Sequence, residues 1–319
     1  MSWFWIAAAC TLCWGCADMF YKIGADESDR YSHLKTTIFV GLAFGLHAIF
    51  TLVFGDIDFD WSNLLYYAPV SAMYIGSMMI GYYGLRYLEL SVSSPVQNCS
   101  GALACILGII ILGEIPDSGL TWAGIVACCA GVILLGVFEK QKRDADSKLD
   151  ESERKYHVGF IAFLMPIGYC IIDTLGTFLD DPCLSMDTTW LVNVTEETIE
   201  DVGNTAYELT FLLVALLLIV YILLDSRRRG EKVVVFERCN TGRLVAAVFE
   251  TAGQFAYVHV IGGNAVVAAP MIASYCMVSV VLSRIFLKER LPKRQYACVA
   301  LAFLGILLLG IADGLAGDI

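Results

Sequence analysis

Apolar residues in this chain come in long runs, and clusters of basic residues mark where the runs stop. All 21 Lys and Arg fall in five clusters: Lys22 to Lys35, Arg86, Lys140 to Lys155, Arg227 to Arg243 and Arg284 to Arg294. A helix that crosses the hydrocarbon core needs about 20 apolar residues, and each run between clusters holds two such lengths. Cytoplasmic loops collect Lys and Arg, so each intervening run must cross an even number of times. With one span before Lys22 and one after Arg294, the pattern predicts ten transmembrane helices. Their approximate bounds are 3–21, 36–54, 63–85, 93–112, 119–138, 157–179, 205–224, 243–261, 265–286 and 295–312. The expected fold class is an all-α integral membrane protein of the plasma membrane. Both termini and the acidic loops Gly55–Asp60, Glu114–Asp117 and Asp180–Asp201 are then expected outside.

One stretch occurs twice. From Ser93 to Gly136 the chain reads as two apolar helices joined by a tight polar turn, and the same order returns between Ala268 and Gly310. Pro270 lies 175 residues after Pro95, and Glu289 lies 175 after Glu114. Gly305 and Gly310 lie 174 after Gly131 and Gly136. A proline, a turn glutamate and two glycines in register indicate an internal duplication. The expected organisation is a five-helix repeat over 1–138, a solvated cytoplasmic linker over 139–156, and a second five-helix repeat over 157–319. Five is odd, so the second copy enters the membrane inverted. Inverted repeats put a substrate site near the midplane, between the halves, with access alternating from side to side.

Composition agrees with the bilayer as solvent. Hydrophobic residues make up 58% of the chain and charged residues 17%, against about a quarter charged in soluble domains. The opening SWFWIAAACTLCWGCADMFY lacks a basic leading segment and a clean cleavage site, so it reads as a first span. The 12 cysteines fall almost wholly in apolar runs, where a thiol packs as a small hydrophobe. Cys10, Cys13 and Cys16 share a helix face and read as packing, not as a metal site. The net charge of -11 resides largely in the outer loops and gives no reason to invoke nucleic acid. No phosphate loop, nucleophile elbow or zinc signature is present, so an enzyme reading has no support and no cofactor is expected.

Three acids inside spans carry the functional argument, because an ionisable side chain there costs about 2.5–3.5 kcal/mol on insertion scales. Asp18 has Trp14 one turn before it and Tyr21 one turn after. Asp173 has Tyr169 one turn before it, and aligning the two copies puts Asp18 over Asp173 and Trp14 over Tyr169. Glu250 has Gln254 and Tyr257 at i+4 and i+7, on the same helix face. The equivalent face of the third span carries Ile75, Met79 and Tyr82, flanked by Tyr74 and Tyr83. Tyr275, in the ninth span, joins the aromatic candidates. A carboxylate among aromatic rings, shielded from water, suits an organic cation, which the ring faces attract by about 2 kcal/mol or more when desolvated. The same acids could carry protons, which makes the proton the candidate coupling ion. Asp18 has a second reading, an ion pair with Lys22 at i+4. His47 and His259 read as structural, satisfied by neighbouring hydroxyls. The patch Ser93, Ser94, Gln97 and Asn98 either lines the site or binds a neighbouring helix.

The Pro-containing span, the LGE and LKER turns, the Gly-rich closing spans and the doubled five-helix unit resemble the EamA-type branch of the drug/metabolite transporter superfamily. A subset of that branch, the bacterial LicB-type choline importers, is similar in more detail. The resemblance implies an acid in the eighth span, matched by Glu250, another in the sixth, matched by Asp173, and a Ser-Tyr pair in the ninth, matched by Ser274 and Tyr275. The sequence departs from that subset at Ser100, where a cage aromatic is expected, and by carrying Asp18. The expected function is secondary transport of a small amine or quaternary ammonium compound such as choline. The alternatives are an amino-acid or metabolite exporter of the same superfamily, and a membrane sensor or scaffold that runs no transport cycle. Monomer and homodimer are both open.

Overall fold

The computed structural model describes residues 3–113, 115–116, 118–147, 156–230, 233, 238–261, 265–288 and 293–317. Glu114, Asp117, Glu289 and the linker stretch 148–155 lie outside the described residues. Within them the chain is all helical. The first part comprises α1 (Trp3–Gly24), α2 (Ser32–Phe54), α3 (Asn63–Tyr66), α4 (Ala68–Leu85), α5 (Leu90–Gln97), α6 (Cys99–Leu107) and α7 (Gly119–Ser147). It continues with α8 (Tyr156–Cys183), α9 (Ile199–Arg229), α10 (Cys239–Ile261), α11 (Ala265–Ala273), α12 (Tyr275–Leu282) and α13 (Lys293–Gly317).

Two helices are interrupted in the same way. Pro95 and Pro270 each sit inside a helix and remove a backbone donor. A few residues later Asn98 Nδ2 and Ser274 Oγ turn back to the carbonyls of Ser94 and Pro270, at 2.9 and 3.0 Å. Such side-chain bonds compete with the backbone ladder, and α5 gives way to α6 at Asn98, as α11 does to α12 at Ser274. Each continues into a π-helical turn, Gly108–Leu112 and Ser283–Leu287. Each ends on a left-handed residue, Gly113 (φ 75°) and Lys288 (φ 60°). Glycine takes that conformation freely, whereas a lysine holds it at a cost of about 1–2 kcal/mol. The π turns and their left-handed ends are 175 residues apart, the spacing of the two prolines.

The most extensive packing pairs are α1 with α10, α2 with α9, α4 with α8, α6 with α11 and α7 with α13. Every one of these pairs joins a helix from residues 3–147 to one from residues 156–317. Small residues permit the approach. A Cβ at Gly131 would fall 2.8 Å from that of Ala302, and one at Gly305 would fall 2.6 Å from Cys128 Sγ. Large apolar side chains such as Leu46, Phe54, Ile110 and Leu217 face outward, while much of the polarity is inside. Among the described residues, six helical segments are long and apolar enough to cross a membrane: Trp3–Gly24, Ser32–Phe54, Ser93–Ile111, Ile199–Arg229, Cys239–Ile261 and Val266–Leu287. Gly119–Leu135 is a shorter apolar helix. Tyrosines, glycines and serines dilute α4, and aspartates dilute α8.

The backbone of α7 stays helical to Ser147, into the stretch expected as a solvated linker. Two expectations need correction. The span expected over 63–85 is divided at Tyr67, with Pro69 in the first turn of α4. Asp180 and Asp181 are not in an outer loop: α8 runs on to Cys183, and both are buried. Hydroxyls of neighbouring helices satisfy Asp180, which removes the reason to keep it in water.

Candidate functional site

Where α1, α4, α8 and α10 meet the two broken helices, they leave a cavity of about 80 Å³. That is room for roughly five waters or a small solute. The cavity brings together all ten residues singled out in the sequence. Trp14 and Asp18 come from α1, Tyr74 and Tyr82 from α4, and Tyr169 and Asp173 from α8. Glu250, Gln254 and Tyr257 come from α10, and Tyr275 stands at the start of α12. The α4 face is one step out of the expected register: Met78 lines the cavity with Tyr74 and Tyr82, whereas Ile75 and Met79 do not.

Hydroxyl groups hold the three acids. Asp18 Oδ2 accepts from Ser94 at 2.5 Å and from Ser279 at 2.8 Å. Lys22 is drawn away to the carbonyls of Leu85 and Leu88, at 2.8 and 2.6 Å, so the expected alternative of an Asp18–Lys22 pair is not what holds Asp18. Asp173 Oδ2 accepts from Ser100 at 2.7 Å, and its Oδ1 from Ser77 at 3.4 Å. Glu250 Oε2 accepts from the Tyr21 hydroxyl at 3.0 Å. Among the described residues, no lysine or arginine forms an ion pair with any of the three. Asp18 Oδ1 and Glu250 Oε1 take no hydrogen bond there either. Three carboxyl groups therefore line one cavity with no basic partner among the described residues.

Several aromatic rings pack against one another along the cavity. Trp14 lies 5.2 Å from Tyr257 and 5.7 Å from Tyr275 between ring centroids. Tyr82 lies 4.6 Å from Tyr21. Tyr74 shares a 2.6 Å hydrogen bond with Tyr257. Two glycines make room for these rings: a Cβ at Gly253 would fall 2.3 Å from Trp14, and one at Gly81 would fall 2.8 Å from Tyr169.

Sequence reasoning did not single out several contributors. Of the patch Ser93, Ser94, Gln97 and Asn98, Ser94 holds Asp18 and Gln97 and Asn98 line the cavity, while Ser93 accepts from Gln97 at 3.1 Å. Ser100 donates to Asp173. Tyr207, of α9, lines the cavity although it lies in a stretch read only as a span. Asp180 accepts from Tyr67 and, at 3.2 Å, from Tyr74, so it connects to the cavity through Tyr74 and Tyr257. Glu208 was overlooked altogether. It is buried in α9, accepts from Asn204 at 3.1 Å and meets His47 Nδ1 at 2.8 Å. His47 is therefore partnered by an acid and not by a hydroxyl. His259 bonds the Phe255 carbonyl of its own helix at 2.8 Å.

At one end of the bundle the polarity is of a different kind. Fully buried Arg243 donates to Asn240 at 2.7 Å and to Ser32 at 3.1 Å, and stands 3.7 Å from Asp29. Lys35 pairs with the same Asp29 at 2.9 Å. Arg86 donates to the carbonyls of Asp26 and Glu27, at 3.2 and 3.0 Å, and lies 5.4 and 5.2 Å from the ring centroids of Tyr83 and Tyr87. At the opposite end Asn63 exchanges two 2.9 Å hydrogen bonds with Val192, and Trp190 donates to the Tyr66 carbonyl at 2.7 Å.

Known proteins share this architecture. A solved structure titled only "Crystal structure of protein" superposes over 97% of each chain, with a TM-score of 0.62 and 13% sequence identity, a likeness of fold alone. No curated protein matches the sequence significantly. The profile of the EamA-like transporter family matches residues 1–137 and 188–311, thus α1 to α6, most of α7, α9 to α12 and most of α13, including Asp18 and Glu250. With its apolar membrane-length helices, the molecule is a multi-pass integral membrane protein of the drug/metabolite transporter superfamily, and the chain belongs to the EamA-like transporter family.

Proposed function

We propose that the protein is a secondary active transporter of a small organic cation, an amine or a quaternary ammonium compound, bound in the cavity between the halves of the chain. The observation that carries this reading is that Asp18, Asp173 and Glu250 share one cavity with aromatic rings and have no basic partner among the described residues. Buried carboxylates are expensive unless paired, and a desolvated ring face attracts a cation. A neutral or anionic solute would leave the acids unmatched. When the cation leaves, protons on the same carboxylates would restore neutrality, which couples transport to proton exchange.

Alternating access follows from the proposed duplication. In this reading the ten spans are two inverted repeats, 1–138 and 157–319, joined by the linker 139–156. Counted as five successive helices in each half, the principal packing pairs are unchanged when the halves are exchanged. That invariance supports rocking of one half against the other. The basic end, with Arg86 and Arg243, would face the cytoplasm, leaving both termini outside the plasma membrane. A C-terminal reporter active only in the cytoplasm should stay silent; a strong signal would reverse the orientation.

The test of substrate class is a binding screen on purified protein, with primary, secondary and quaternary amines set against zwitterionic amino acids and anionic metabolites. Saturable binding confined to cations is the expected result. Preference for amino acids or anions would overturn the reading.

A further inference from the structure

The cavity contains more carboxyl groups than one ammonium group can match. From this excess we infer a narrower substrate class, a short dication such as an α,ω-diamine, an inference that rests on the cation-transport reading above. Asp18, Asp173 and Glu250 come from three helices, α1, α8 and α10, and line the same space. A monocation would leave two carboxylates to be neutralised separately, whereas a dication matches two in one binding event.

The acids occupy two stations. Ser94 holds Asp18 at 2.5 Å and Ser100 holds Asp173 at 2.7 Å. These serines lie six positions apart on the broken helix α5–α6, a rise of about 9 Å at 1.5 Å per residue. Glu250 belongs with Asp18, because its hydroxyl donor, Tyr21, is three residues further along α1. At this first station Asp18 Oδ1 and Glu250 Oε1 are open, and the Tyr82 hydroxyl, which lines the cavity, is buried without a hydrogen-bond partner among the described residues. An alkylammonium carries three N–H donors, and these three oxygens could accept them. Asp173 is left for the second ammonium, one helical stretch away. Met78 and the Trp14 ring supply apolar surface in the same cavity for the methylenes between. A quaternary ammonium has no N–H and could use none of the open oxygens as hydrogen-bond acceptors.

The experiment is a calorimetric titration of the purified full-length protein with 1,4-diaminobutane, with n-butylamine and with tetramethylammonium. The diamine should bind at least tenfold more tightly than butylamine. In Asp173→Asn that advantage over butylamine should collapse to less than about threefold. The wild-type comparison stands alone if the variant does not fold. Butylamine or tetramethylammonium binding as tightly as the diamine would overturn the dication and leave cation transport intact. Binding of no amine at all would overturn both.

Discussion

Arg243 and Glu250 lie two turns apart on α10, both buried, and the protein treats their charges differently. Around Arg243 it supplies Asn240, Ser32 and Asp29, while neighbouring Arg86 caps the carbonyls of the α1–α2 connection. Among the described residues, Glu250 receives a tyrosine hydroxyl, and Asp18 and Asp173 receive serine hydroxyls. A charge whose partners are built in serves the fold, and its removal strands those partners. An acid held in place without a basic partner, on the proposed reading, serves a solute that comes and goes. Burial alone does not separate the two cases; the partner does.

The comparison breaks most visibly at Arg243. Removing one member of a buried charged network costs about 3–5 kcal/mol, so Arg243→Ala should unfold at markedly lower temperature or denaturant, with or without an amine present. A variant as stable as wild type would show that the basic end is not structural. A smaller effect is expected at Gly253, where an added Cβ meets Trp14 at 2.3 Å. Overpacking costs about 1–3 kcal/mol, and Gly253→Ala should lose ligand affinity by displacing that ring. Unchanged binding would exclude Trp14 from the site. Smallest is Ser100→Ala, which deletes a hydroxyl worth about 0.5–1.5 kcal/mol. It should weaken ligand binding by roughly two- to twelvefold without the collapse expected at Arg243. A collapse there would class Asp173 with the structural charges.

The sequence displayed the coarse architecture through its basic clusters and through Pro95 and Pro270, because span length and proline chemistry are local properties. Asp18, Asp173 and Glu250 stood out because a carboxylate in an apolar run has few innocent explanations. Their hydroxyl partners did not stand out, since Ser94, Ser100 and Ser279 look like any serine in a helix until three helices converge. Tyr21 was visible only as a neighbour of Asp18, and its real partner is 229 residues away. Asp180 reads as a loop residue because it adjoins one, and the hydroxyls of Tyr67 and Tyr74, far away in sequence, account for its burial. The Met78 register went astray because serines, glycines and tyrosines on every side of α4 leave no clean apolar stripe to read.

The central claim is that Glu250 carries an unmatched charge kept for a cation, and Glu250→Gln tests it most directly. The variant preserves shape and a hydrogen-bonding head but deletes the charge. A titration of both proteins with the best amine, run beside their melting curves, reads binding and stability together. Losing a charge-assisted contact should cost about 1.5–3 kcal/mol, a roughly ten- to 150-fold loss of affinity. The melting temperature should stay the same or rise, because no built-in partner is stranded. Unchanged affinity with a lower melting temperature would contradict the account and put Glu250 with Arg243 among the charges that hold the fold.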